Sequence, residues 1–110
     1  HLGSMAVMGQ QAPYTVVHIV INNEAHETVG GQPTAAGSCD FVEMAYACHY
    51  DHATVVDSPD ELEAALRDAR SFDGLCLIEV RSAIGARADL GRPTTTAREN
   101  KESFMKTLRQ

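Results

Sequence analysis

The run from Tyr14 to Ile21, YTVVHIVI, constrains this chain more than any other feature. It is nearly continuous in β-branched and apolar residues, without the polar alternation of a half-exposed strand. Such a run reads as a strand covered on both faces, the mark of a parallel sheet in an α/β protein. Parallel strands need long crossovers, and the remaining segments supply them. Leu2, Met5, Ala6 and Gly9 stand at helical spacing within residues 1–12, and Gln10, Gln11 and Pro13 end that element. Asn22-Asn23 stops the strand, and the segment to Gly37 is a loop with a short helical turn near Thr28. Asp40 caps a helix in which Phe41, Met44, Ala45 and Cys48 share a face. Ala53 to Val56 is a short strand. Ser58-Pro59-Asp60-Glu61 then gives an N-cap serine, a proline at the first helical position and a glutamate three residues beyond the cap. Leu62, Ala65, Leu66 and Ala69 form the buried stripe of that helix, Gly74 breaks it, and Leu75 to Val80 is a third strand. A last helix, about Arg98 to Leu108, carries Phe104, Met105 and Leu108 on one side. The expected fold class is α/β, a three-layer α/β/α arrangement around a mostly parallel sheet.

The 110 residues allow one domain, and 44% hydrophobic with 22% charged residues is ordinary for a globular chain. A net charge of −6 argues against a nucleic-acid partner, because phosphate neutralisation needs a dense cationic face. The cations concentrate late, at Arg81, Arg87, Arg92, Arg98, Lys101, Lys106 and Arg109, against Asp89, Glu99 and Glu102. That end reads as a solvated helical surface compatible with a small anionic substrate. Cys39, Cys48 and Cys76 are odd in number and lack Cys-x-x-Cys spacing, which favours reduced thiols and a cytoplasmic setting. Cys48 and Cys76 lie in apolar patterns and read as packing residues. No apolar stretch is long enough to cross a bilayer, so no membrane partner is expected.

In open α/β sheets ligands bind beyond the carboxyl ends of the strands. The first strand ends at Asn22-Asn23-Glu24-Ala25-His26-Glu27-Thr28-Val29-Gly30-Gly31-Gln32, the most polar and glycine-rich stretch of the chain. Asparagine oxygens suit a hard cation such as Mg²⁺, which commonly bridges to phosphates. The glycines permit close approach of backbone to a phosphate. Simple turn formation is the other reading of Asn22-Asn23, and the residues alone leave both open. His49 and His52 beside Asp51 lack a nearby cysteine pair and read as solvated histidines rather than zinc ligands. Neither a Gly-x-Ser-x-Gly elbow nor a P-loop occurs.

The string HIVINNEAHETVGGQPT resembles the corresponding stretch of thiamine-diphosphate-dependent decarboxylases. That family carries a bipartite signature, Gly-Asp-Gly followed downstream by Asn-Asn, which holds the Mg²⁺ that anchors the cofactor diphosphate. The resemblance implies Asn23 as a side-chain metal ligand and the Ala25 carbonyl as a backbone ligand. It places the backbone of Thr28, Val29 and Gly30 beside the diphosphate. Within the family, HETVGGQPT, DFVEMAYACHY and GRPTTTARENKESFM look like phosphonopyruvate decarboxylases, with sulfopyruvate decarboxylases as near relatives. The likeness covers essentially the whole chain. It implies that residues 1–110 are the C-terminal part of the diphosphate-binding domain, a partial thiamine-diphosphate-binding fold. His1 to Ser4 then reads as native sequence, with a Gly-Asp-Gly expected a few residues upstream.

The activity so implied is Mg²⁺- and thiamine-diphosphate-dependent conversion of 3-phosphonopyruvate, a 2-oxo acid, to phosphonoacetaldehyde and CO₂. His26 is the candidate for proton transfer or anion binding, and Glu27 is a second catalytic candidate. Arg81, Arg87 and Arg92 have the geometry to meet a phosphonate, but the sequence does not place them. The implied partners are the upstream domains of the same enzyme, including its activating glutamate, and further copies in a homo-oligomer. Tight cofactor binding by these residues alone is not expected. Two competing readings remain, a sulfopyruvate decarboxylase subunit and a folded, non-catalytic association module.

Overall fold

A computed structural model describes residues 2–11, 15–91 and 93–108. In chain order the elements are α1 (Leu2–Gln11), β1 (Val16–Asn22), β2 (Ala25–His26), β3 (Gln32–Pro33), α2 (Phe41–Ala47), β4 (His52–Val56), α3 (Pro59–Ser71), β5 (Leu75–Arg81) and α4 (Ala97–Leu108). Two 3-10 turns, Glu27–Val29 and Ala35–Ser38, interrupt the segment between β2 and α2.

Strands β1, β5 and β4 form a parallel sheet with β5 in the middle. The register fixes two faces, because paired residues in neighbouring strands point the same way. One face carries Val16 beside Leu75, His18 beside Leu77 and Ala53, Val20 beside Glu79 and Val55, and Asn22 beside Arg81. Its apolar part packs with Met5 of α1, Ala45 of α2 and the buried Tyr50. The opposite face, with Val17, Cys76, Ile78, Val80 and Val56, takes the Leu62, Ala65, Leu66 and Ala69 stripe of α3. The three-layer α/β/α expectation is met. Leu75, Leu77, Cys76 and Ile78 are the largest side chains buried almost completely, so the core is centred on β5. Burial lifts the Cys76 thiol above its usual range, with Asp51 adding to the effect, as fits a packing residue.

Local chemistry explains the helix starts. Ser58 Oγ accepts from the Glu61 N–H at 3.4 Å, and Glu61 reaches back to the Asp57 N–H at 3.0 Å. That backbone donor is the main reason the Glu61 carboxyl lies below its ordinary range. Asp40 Oδ1 accepts from the Glu43 N–H at 2.9 Å and caps α2. A similar reciprocal pair opens α4, where Thr96 Oγ1 accepts from Glu99 and Glu99 Oε2 accepts from the Thr96 N–H. Thr96-Ala97-Arg98-Glu99 is a capping-box sequence, so α4 begins at Ala97 rather than at the Arg98 that its apolar period suggests.

Other expectations need correction. β1 runs through Asn22 rather than stopping before it, and Tyr14 lies outside the described residues. It is also not covered on both faces. It stands at the sheet edge, and α3 packs over β4 and β5, leaving Ile19 and Ile21 45% and 74% exposed. Gly74 does not stop α3, which ends at Ser71. A Cβ at Gly74 would lie 2.7 Å from Asp51 Oδ2 and from the Phe72 ring, so this glycine provides room for that packing. The apolar side of α4 exists, but no residue of α4 is buried, and Phe104 and Leu108 face solvent. The Cα radius of gyration, 17.2 Å, accordingly exceeds the roughly 13 Å of a compact chain of this length.

Gly9 gives a test of how α1 sits on the sheet. A Cβ there would overlap the Cys48 carbonyl oxygen. Alanine normally stabilises a helix by about 1 kcal/mol over glycine. Here the sign is expected to reverse. Gly9→Ala should destabilise the chain by about 1–3 kcal/mol through overpacking, read as a lower Tm by circular dichroism. An unchanged or higher Tm would contradict the close approach of α1 to Cys48.

Candidate functional site

The polar segment predicted to follow β1 does lie beyond the carboxyl end of the parallel sheet, and two consecutive asparagine turns shape it. Asn22 Oδ1 accepts from the Glu24 N–H at 3.0 Å, and Asn23 Oδ1 accepts from the Ala25 N–H at 3.1 Å. Between them Glu24 adopts φ 55°, a left-handed backbone that side chains rarely take. β2 then pairs antiparallel with β3, Ala25 opposite Pro33 and His26 opposite Gln32. This ladder was not legible in the sequence, since two-residue strands carry no period. Around it the Thr34 N–H donates to the Glu24 carbonyl at 2.8 Å and the Gly31 N–H to the His26 carbonyl at 3.0 Å.

Ala25 sits between those two bonds and faces a proline, which has no N–H to give. Its N–H donates to Asn23 Oδ1 rather than into the β3 ladder. An extended residue directs its C=O to the same side as its N–H. Asn23 Oδ1 and the Ala25 carbonyl thus lie on one side of the turn. Both are neutral oxygens, and a hard divalent cation accepts such donors when phosphate and water complete its shell. Among the described residues no group of three or more His, Cys, Asp or Glu side chains forms a metal cluster.

Asn23 is half-buried and held at its other end by Glu27, whose Oε2 accepts from Asn23 Nδ2 at 2.9 Å. The second Glu27 oxygen accepts from the Gly85 N–H at 2.6 Å, tying the segment after β1 to the segment after β5. Glu27 therefore clamps two loops, with both oxygens engaged. His26 is exposed and makes no side-chain hydrogen bond among the described residues. Thr28, Val29 and Gly30 form the exposed turn, with Gly30 at φ 90° closing it. The Gly30 N–H is spent on Glu27 and the Gly31 N–H on His26, both inside the loop. Thr28 instead stands near the open start of the 3-10 turn, where N–H groups lack an acceptor within the turn.

The arginines separate. Arg81 ends β5 directly beside Asn22 and lines an open cleft of about 430 Å³ together with Asp40 and Glu79. Arg87 is exposed and pairs with Asp89 at 3.1 Å. Arg92 lies outside the described residues, as do His1 and Arg109. His49 is exposed with φ 65°, and His52 stacks at a tilt on Phe72 with centroids 6.2 Å apart.

The sequence pairs Asn22 with Asn23 as an oxygen donor and gives Glu79 no role, whereas the fold spends the Asn22 amide on Glu24 and Glu79. Asn22 and Glu79 are 8% and 4% exposed, and Asn22 Nδ2 donates to Glu79 Oε1 at 2.7 Å. The signal was present, because a lone carboxylate in the apolar run LCLIEV requires a partner when buried.

The chain is 37% identical over 103 residues to a phosphonopyruvate decarboxylase of Streptomyces viridochromogenes. It is 36% identical over the same length to a phosphonopyruvate decarboxylase of Streptomyces hygroscopicus. Each match covers 94% of this chain and 26% of the relative, so the chain spans about a quarter of their length. No helix among the described residues is long and apolar enough to cross a membrane. Residues 1–80 match the family described as thiamine pyrophosphate enzyme, C-terminal TPP binding domain, and the chain belongs to that family.

Proposed function

We propose that this chain is the diphosphate-anchoring part of a Mg²⁺- and thiamine-diphosphate-dependent decarboxylase acting on 3-phosphonopyruvate. The observation that carries this reading is the likeness to two phosphonopyruvate decarboxylases over 94% of the chain. The turn after β1 fits it, with Asn23 Oδ1 and the Ala25 carbonyl on one side as oxygen donors for Mg²⁺. Those two atoms would hold the cation, and the Thr28 N–H would donate to a diphosphate oxygen. When bound, thiamine diphosphate supplies the electron sink that decarboxylation of a 2-oxo acid needs. In the net reaction the carboxyl–carbonyl bond breaks, CO₂ leaves, and a proton takes its place to give phosphonoacetaldehyde. His26, exposed at the rim of the turn, is the side chain of this loop suited to bind the substrate anion or move that proton. Glu27 keeps Asn23 oriented and ties the loop to Gly85.

Release of CO₂ by the full-length protein, with thiamine diphosphate and Mg²⁺, tests the reading. The expected order of kcat/KM is phosphonopyruvate above sulfopyruvate, with pyruvate last, and EDTA should remove the activity. A preference for sulfopyruvate would move the chain to the neighbouring activity. A preference for pyruvate would sink the substrate assignment.

A further inference from the structure

Glu79 stands out because nothing about strand formation calls for it. β5 is otherwise the most completely buried of the described elements, and Glu79, one residue past its midpoint, is only 4% exposed. A buried carboxylate is costly unless hydrogen-bonded, and an apolar residue of similar volume would fill the space without that cost. Its hydrogen-bond donor is Asn22, on the neighbouring strand, at 2.7 Å. The Asn22 amide is fixed at both ends. The Glu24 N–H can only donate, so it must meet Oδ1, and Nδ2 must then face Glu79. Rotation of that amide would break both bonds together.

The residue it holds matters most. Glu24, at φ 55°, lies between Asn23 and Ala25, the two donors of the turn. A left-handed backbone at a non-glycine residue persists where its neighbours over-determine it. Here the constraints are Asn22 Oδ1 on the Glu24 N–H and the Thr34 N–H on the Glu24 carbonyl at 2.8 Å. With either one lost, Glu24 can relax toward negative φ, and Asn23 Oδ1 and the Ala25 carbonyl no longer share a side.

We propose that Glu79 is a positioning residue for cation and cofactor binding, acting through Asn22 on the Glu24 turn. The inference rests on the proposed role of Asn23 and Ala25. It assigns to the sheet interior the task of setting a ligand geometry that the exposed loop does not set by itself.

Calorimetric titration of the full-length protein with thiamine diphosphate at fixed Mg²⁺ tests it, beside kcat at saturating cofactor and Tm. Glu79→Met fills the space but offers only a weak thioether acceptor in place of the carboxylate. It should weaken cofactor affinity about 10–100-fold, as loss of an outer-sphere partner does elsewhere, and leave saturated kcat within about threefold. Glu79→Gln keeps an acceptor for Asn22 and should stay within about threefold of wild-type affinity. If Glu79→Met does not fold, Glu79→Asp, too short to keep the 2.7 Å contact, should show the same loss. Wild-type affinity in Glu79→Met, with binding lost in Asn23→Ala, would overturn this inference and leave the proposed function standing. Equal losses in the Met and Gln variants that follow Tm would also overturn it, as a purely structural effect. Wild-type binding in Asn23→Ala would overturn both.

Discussion

Asn23→Ala in the full-length protein is expected to weaken Mg²⁺-dependent binding of thiamine diphosphate by at least about 100-fold, because loss of a mere outer-sphere partner already costs about 10–100-fold. The substitution removes the side-chain oxygen proposed for the cation. It also removes the donor to Glu27 and the acceptor for the Ala25 N–H. Ala25 then loses the bond that aims its N–H, and with it the carbonyl proposed as the second donor. The loss should appear both in the Kd for thiamine diphosphate and in decarboxylation, with partial recovery at high Mg²⁺ by mass action. Asn23→Asp keeps one oxygen but sets a carboxylate against Glu27, now 2.9 Å from Asn23 Nδ2, and should fall between wild type and alanine. Full binding in Asn23→Ala, with an unchanged Tm, would remove Asn23 from the site.

Leu77→Ala should have the largest effect on stability. Leu77 is fully buried in the central strand, paired in register with His18 and Ala53, and packed with Met5, Ala45 and Tyr50. Truncating a buried leucine to alanine costs about 2–5 kcal/mol through lost burial and the cavity left behind. Against a total stability of about 5–15 kcal/mol for a typical domain, this is a large share. Thermal unfolding should shift down by roughly 10 °C or more. Leu77→Met, close in volume, should cost less than about 1.5 kcal/mol. A shift of only a degree or two in the alanine variant would place the core somewhere other than β5.

Much of the architecture could be read because burial leaves periodic traces. The α3 stripe has a period near that of a helix, and Ser58 to Glu61 announces where the helix begins. The Asn22 to Gln32 stretch was recognisable as a candidate site because parallel sheets bind ligands at this end. The errors came where a residue's role depends on a neighbour distant in sequence. Gly74 looks like a helix breaker, yet it makes room for Asp51 and Phe72. For Glu27, a catalytic candidate in the sequence, the fold adds a bond that the sequence does not show, from the Gly85 N–H, 58 residues away, to its second oxygen. The β1 run is apolar enough for the sheet interior, yet it lies at the edge with Ile21 exposed. Composition reports what a strand can tolerate on its faces. It does not report which neighbours are present.

The Asn-Asn turn shows where the two levels meet. The sequence by itself determined an α/β chain with a polar, glycine-rich loop beyond its first strand, since hydrophobic period, caps and turn chemistry are local properties. It also contained the resemblance that singled out Asn23 and Ala25. Only the tertiary structure decided how those donors are aimed. The strand register sets Asn22 beside Arg81 and brings Glu79 within 2.7 Å of its amide. Glu24 is thereby held left-handed, and the Ala25 N–H donates to Asn23 Oδ1 rather than into the β3 ladder. A hydrogen bond between residues 57 positions apart in the chain leaves no periodic mark in sequence, because it depends on which strands become neighbours.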